Sequence, residues 1–190
     1  MSVAREPRRS HVSKIFVSYR RGGSAEGYSM TLARDLAERF GADSVFRDVQ
    51  NLGIGSFHDQ IEKAARSCKA MVVVIGERWV ERSGELADPK DWVRREIGIA
   101  LERGIPVIPV LVGGVTPREL AKLRLPPPLD ELMEQQILVF SPHHWTADVD
   151  ALAAQLDRLR GLRPVSYTHL RAHETVLDLV CRLLLEKKNK

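Results

Sequence analysis

Residues 14–24 read KIFVSYRRGGS. Lys14 opens a run of apolar, partly β-branched residues that ends at Ser18, which is how a buried strand reads. Tyr19, Arg20, Arg21, Gly22, Gly23 and Ser24 then form a polar, glycine-bearing loop. From Tyr28 to Phe40, Met30, Leu32, Ala33, Leu36, Ala37 and Phe40 recur at three- and four-residue spacing, and Gly41 follows as a helix stop. The stretch therefore predicts strand, loop and helix in succession.

The same alternation continues outward. Ala70–Ile75 (AMVVVI), Val107–Val112 (VIPVLV) and Gln136–Phe140 (QILVF) are three more short apolar runs, and Ser44–Arg47 is a weaker fifth. Phe57, Ile61, Ala64 and Ala65 mark a second helix, Trp92 to Arg103 a third closed by Gly104, and Val149 to Leu159 the last. Pro126, Pro127 and Pro128 break the pattern between Gly113 and Leu132, which predicts a long connection with at most one short helix. Strands alternating with helices imply a doubly wound α/β domain, with ligands beyond the carboxyl ends of the strands.

Bulk composition narrows the classes of function. The formal net charge is +4, yet residues 1–10 carry Arg5, Arg8 and Arg9 against Glu6, and residues 165–190 carry five basic against three acidic residues. Residues 11–164 hold 21 of each, so the core lacks the basic footprint of a nucleic-acid binder. No run approaches the roughly 18 apolar residues of a membrane span, and the basic N-terminus leads into no signal-type apolar segment. A cytoplasmic chain is expected, with no nucleic acid and no membrane as partner. Cys68 and Cys181 form no metal or redox pair, and Cys68 reads as a small buried hydrophobe.

Residues 165–190 read VSYTHLRAHETVLDLVCRLLLEKKNK, which resembles the conceptual translation of a transposase-type sequencing-library adapter. The codons GTC TCT TAT ACA CAT CTC CGA GCC CAC GAG give Val165 to Glu174. The alternative is an amphipathic helix built on Val176, Leu177, Val180, Leu183 and Leu184. The expected organisation is a flexible basic N-terminus over 1–11, one domain over 12–162, and a non-native adapter-derived tail over 163–190.

The third helix holds an anomaly. With Trp92 at 0° and a step of about 100° per residue, Glu96 falls at about 40°, between Ile99 at about −20° and Val93 at about 100°. A carboxylate inside an apolar arc must find a cation, face a cleft or raise its pKa. A structural salt bridge to an arginine beneath the helix and a catalytic group at a cleft both meet that demand. The loop after the first strand, with Arg20 and Arg21, suits either solvent or a pyrophosphate. Asp48 and the glycine-hinged residues 51–57 follow the second strand, where Phe57 can stack on a ligand ring or enter the core.

KIFVSYRRGGS, VFRDVQNLGIGSF and DWVRREI, in this order and spacing, resemble the first-strand loop, BB loop and third-helix motif of Toll/interleukin receptor (TIR) domains of the bacterial type. The linking phrases VIGERWV and ERGIPVIPVLV fit as well, so the resemblance covers about residues 12–160. It implies a flavodoxin-like, five-stranded parallel sheet of order 2-1-3-4-5 with helices on both faces. It also implies an NAD nucleosidase in signalling or defence, releasing nicotinamide and ADP-ribose or a cyclic ADP-ribose. Glu96 then corresponds to the catalytic residue, and Tyr19, Arg20, Arg21, Asp48, Phe57 and Trp92 to substrate-binding positions. NAD enters as substrate, with no cofactor and no metal, and other TIR domains are partners by self-association. The alternative is a non-catalytic TIR scaffold. The BB loop departs from many relatives in lacking a proline.

Two further classes are excluded by residues. A phosphoacceptor receiver needs a carboxylate pair after the first strand, where Ser18, Tyr19 and Arg20 stand, and no G-x-x-x-x-G-K-[ST] phosphate loop occurs. His143, His144 and Trp145 lack a carboxylate or cysteine at ligand spacing and read as a surface turn.

Overall fold

The structure is a computed structural model that describes residues 15–47, 64–159 and 162. Five strands, β1 (Ile15–Tyr19), β2 (Val45–Arg47), β3 (Ala70–Ile75), β4 (Val107–Leu111) and β5 (Leu138–Val139), form one sheet of order β2-β1-β3-β4-β5. Every neighbouring pair is parallel, with Ile15 opposite both Val45 and Ala70, Met71 opposite Val107, and Val110 opposite Leu138. The expected sheet order and doubly wound class are both observed.

β1, β3 and β4 are wholly buried, and successive residues serve opposite layers. Phe16, Met71, Val73, Ile75 and Leu111 pack with Val93, Ile97 and Ala100 of α3 (Trp92–Glu102). Ile15, Val17, Val72, Val74 and Val110 pack with Leu32 and Leu36 of α1 (Ser24–Phe40) and with Leu152 and Leu156 of α5 (Trp145–Asp157). A side chain of this size contributes about 1.5–3 kcal/mol when fully buried, so the two layers dominate the stability of the fold. Gly104, at φ 64, ends α3 where the sequence placed its stop.

Two short helices escape periodicity. α2 (Glu77–Glu81) and the 3-10 turn Ser83–Ala87 follow β3 directly, and their five residues each are too few to show a repeat. The connection after β4 holds α4 (Pro117–Leu120), capped by Thr116 and Glu119, and a 3-10 turn Leu129–Glu134. α1 and α5 begin about a turn earlier than their apolar repeats do, since Ser24 and Trp145 precede the first core-facing leucines. β5 pairs over two residues rather than five, since only Leu138 and Val139 lie in register with β4. Of the second helix expected from Phe57 and Ile61, residues 64–67 are described and helical, while Phe57 and Ile61 lie outside the described residues.

Candidate active site

Ser18, Arg20 and Glu96 are buried polar residues at the carboxyl end of β1, with Glu96 only 5% exposed. Ser18 lies on the layer that faces α3, so its hydroxyl donates to Glu96 Oε2 at 2.7 Å. The carboxylate that stood out in the helix pattern is thus met by a buried hydroxyl from the sheet. Val93, Ile97 and Ala100 surround the carboxylate with apolar surface on the same helix.

Trp92, one turn before Glu96, is 36% exposed, and the Arg95 guanidinium lies 4.6 Å from its ring centre. Such a cation over an indole face is attractive and steadies the ring. Asp91 is the N-cap of α3: its Oδ1 accepts from the Arg94 amide at 2.9 Å. Helix start, tryptophan and glutamate are therefore set by one short sequence, DWVRRE.

The loop after β1 is already provided with anions from its own chain. Arg20 is 7% exposed, and its Nη1 and Nη2 donate to Glu85 Oε2 and Asp91 Oδ2, each at 2.8 Å. Its Nε is buried with no hydrogen-bond partner among the described residues. The first turn of α1 receives Glu77, whose carboxylate accepts from the Ser24 amide at 2.7 Å and the Ser24 hydroxyl at 2.5 Å. These two bonds hold the Glu77 carboxyl below its ordinary value of 4.5. Gly23 and Gly113 make room for it: a Cβ at Gly113 would lie 2.6 Å from Ser24 Oγ and 3.1 Å from Glu77 Oε2.

Tyr19 turns to the other layer, where the Arg47 guanidinium lies 5.5 Å from its ring centre. Arg21 is exposed at the surface of the loop. Asp48 and Phe57 lie outside the described residues. The structure thus brings together Glu96, Trp92 and Arg20 around the β1 end and sends Tyr19 to the opposite face. Sequence reasoning missed Ser18, Asp91 and Glu85. Asp91 carried a signal in its N-cap position before Trp92, whereas nothing local announced Glu85.

Elsewhere, Cys68 is buried and its thiol is pushed up to about 11 by desolvation, which fits a hydrophobe rather than a nucleophile. His143 and His144 lie in a turn as expected, while Trp145 begins α5 and donates its indole N–H to Asp35 at 2.7 Å. Among the described residues, no three His, Cys, Asp or Glu side chains are grouped to hold a metal ion, and no helix is long and apolar enough to cross a membrane.

Comparison with known proteins bears on the family and the fold. A Drosophila melanogaster protein named NAD(+) hydrolase sarm1 is 34% identical over 97 residues, which is 51% of this chain and 7% of that protein's length. Among solved structures, the TIR domains of the activated Roq1 resistosome, which directly recognises the pathogen effector XopQ, superpose with a TM-score of 0.53. That match has 14% identity and covers 75% of this chain and 98% of that one. The family profile described as TIR domain matches residues 15–153. With the sheet order, the paired layers and that profile in agreement, the chain belongs to the TIR domain family.

Proposed function

We propose that this chain cleaves the bond between nicotinamide and ribose in NAD, releasing nicotinamide and ADP-ribose or its cyclic form, with Glu96 as the catalytic carboxylate. The observation that carries the reading is the burial of Glu96 in an apolar helix face, one turn from the half-exposed Trp92 and oriented by the Ser18 hydroxyl. The likeness to an NAD(+) hydrolase over the matched 97 residues supports it.

The chemistry asks little more of the protein. Nicotinamide is cationic in NAD and leaves as a neutral ring, so no general acid is needed. What remains is a ribose with oxocarbenium character, for which a nearby carboxylate is the natural stabiliser. In apolar surroundings such a charge acts more strongly than it would in water. Ser18 fixes the direction of one Glu96 oxygen, Trp92 walls the pocket, and water or an adenine nitrogen captures the anomeric carbon. Arg21, Asp48 and Phe57 are the proposed contacts to the rest of the dinucleotide, while Tyr19, buried on the opposite layer, is left to support the sheet end.

The test is nicotinamide release from NAD by the purified chain at high concentration with a crowding agent, because partner domains can complete such a site. Release by the wild type and its loss in Glu96→Ala are expected. Release unchanged in Glu96→Ala overturns the assignment. No release from the wild type leaves assembly without turnover as the reading.

A further inference from the structure

We infer that Arg20 is a positioning residue that acts through Asp91 on the helix carrying Trp92 and Glu96, rather than a ligand for the dinucleotide phosphates. The kinetic part of this inference rests on the proposed NAD cleavage. Its structural part does not.

Both terminal nitrogens of Arg20 are taken by carboxylates, Glu85 and Asp91, at 2.8 Å, and its side chain is 8% exposed. With its own side chain buried, this guanidinium meets a phosphate at Nη2 only if Asp91, 12% exposed, gives way and is left without its counterion, whereas Glu85 is 42% exposed and also pairs with Arg82. Asp91 divides its two oxygens: Oδ2 takes Arg20, and Oδ1 caps α3 at the Arg94 amide. Ser18, two residues before Arg20, holds Glu96 Oε2. The end of β1 therefore grips α3 at its N-cap and again just over one turn in. Two such points fix both the rotation of the helix and its advance over the sheet, and with them the place of the Glu96 carboxylate. The fork of the guanidinium is needed because one cation must reach two carboxylates from different segments.

Four variants test this: Arg20→Ala, Asp91→Ala, the double mutant, and Arg20→Lys, which is milder because it keeps the buried charge. Nicotinamide release is expected to fall in kcat by about tenfold or more in each single mutant, with KM within about threefold. The double mutant is expected to be no slower than the worse single mutant, because both substitutions remove one device. Arg20→Lys should lie between wild type and Arg20→Ala. A KM, or a calorimetric Kd for ADP-ribose, that rises about tenfold while kcat is kept overturns the inference, as does a double mutant whose losses multiply.

Hydrogen exchange supplies a readout independent of turnover. Arg20→Ala and Arg20→Lys are expected to speed amide exchange over residues 92–97 relative to α5. If the wild type releases no nicotinamide, the proposed function fails while this measurement still decides the positioning role. Unchanged exchange in residues 92–97 overturns it.

Discussion

At the carboxyl edge of the sheet a serine hydroxyl meets a glutamate twice: Ser18 and Glu96 at 2.7 Å, and Ser24 and Glu77 at 2.5 Å. The chemical pair is the same, and so is the level in the fold. Glu77 stands near solvent and also takes the amide of Ser24, closing the first turn of α1 as an anion placed at a helix N-terminus does. Glu96 is buried in the apolar stripe of α3, with no helix end to serve. The first pair is explained by the backbone it satisfies. The second stands inside the helix on apolar surroundings, the setting that the proposed chemistry asks of it.

Four substitutions probe the contrast, beginning with the largest effect. Glu96→Ala is expected to lower nicotinamide release about a hundredfold or more while circular dichroism keeps its folded spectrum. Ser18→Ala should cost about tenfold in kcat, equivalent to about 1.4 kcal/mol for the hydroxyl's bond to the proposed catalytic carboxylate. Gly113→Ala attacks the other pair: φ is +67 there, and the added Cβ would meet Ser24 Oγ at 2.6 Å. It is expected to cost about 2 kcal/mol in urea unfolding, with release per folded molecule unchanged.

Glu77→Gln has the smallest expected effect and shows itself in pH dependence. The folded-state pKa of Glu77 lies below 4.5, so its contribution to stability is complete above that value and is lost as pH falls towards the folded value. The difference in urea midpoint between wild type and Glu77→Gln should therefore hold above pH 4.5 and shrink below it. A difference that grows on acidification, or a fall in turnover at neutral pH, would erase the distinction between the two pairs.

The contrast also marks what could be read in the sequence. The three buried strands were legible because residues covered on both faces leave unbroken apolar runs, as in AMVVVI and VIPVL. Glu96 was legible because a carboxylate inside a helical stripe is an error unless something meets it. The hydroxyl that meets it lies 78 residues earlier, and Arg20 finds its carboxylates 65 and 71 residues away. Pairings of that separation are made by the fold and leave no local pattern. Arg20 therefore reads as a cation offered to a ligand, when within the chain it is spoken for. α2 stayed hidden for a simpler reason, since five residues make little more than one turn.

The alternation of strand residues between the two layers has a consequence for how the site is inherited. Ser18 and Tyr19 are neighbours in the chain, yet one reaches Glu96 and the other lies beneath Arg47. Which of them serves the carboxylate depends only on whether its number along β1 is even or odd. Deleting one residue from β1 would hand Glu96 an aromatic ring and turn the hydroxyl towards α1, with every substitution table still scoring the segment as intact. The address of the proposed reaction centre is thus a matter of parity, and insertions or deletions in five residues of strand are a sharper threat to it than most exchanges of side chain.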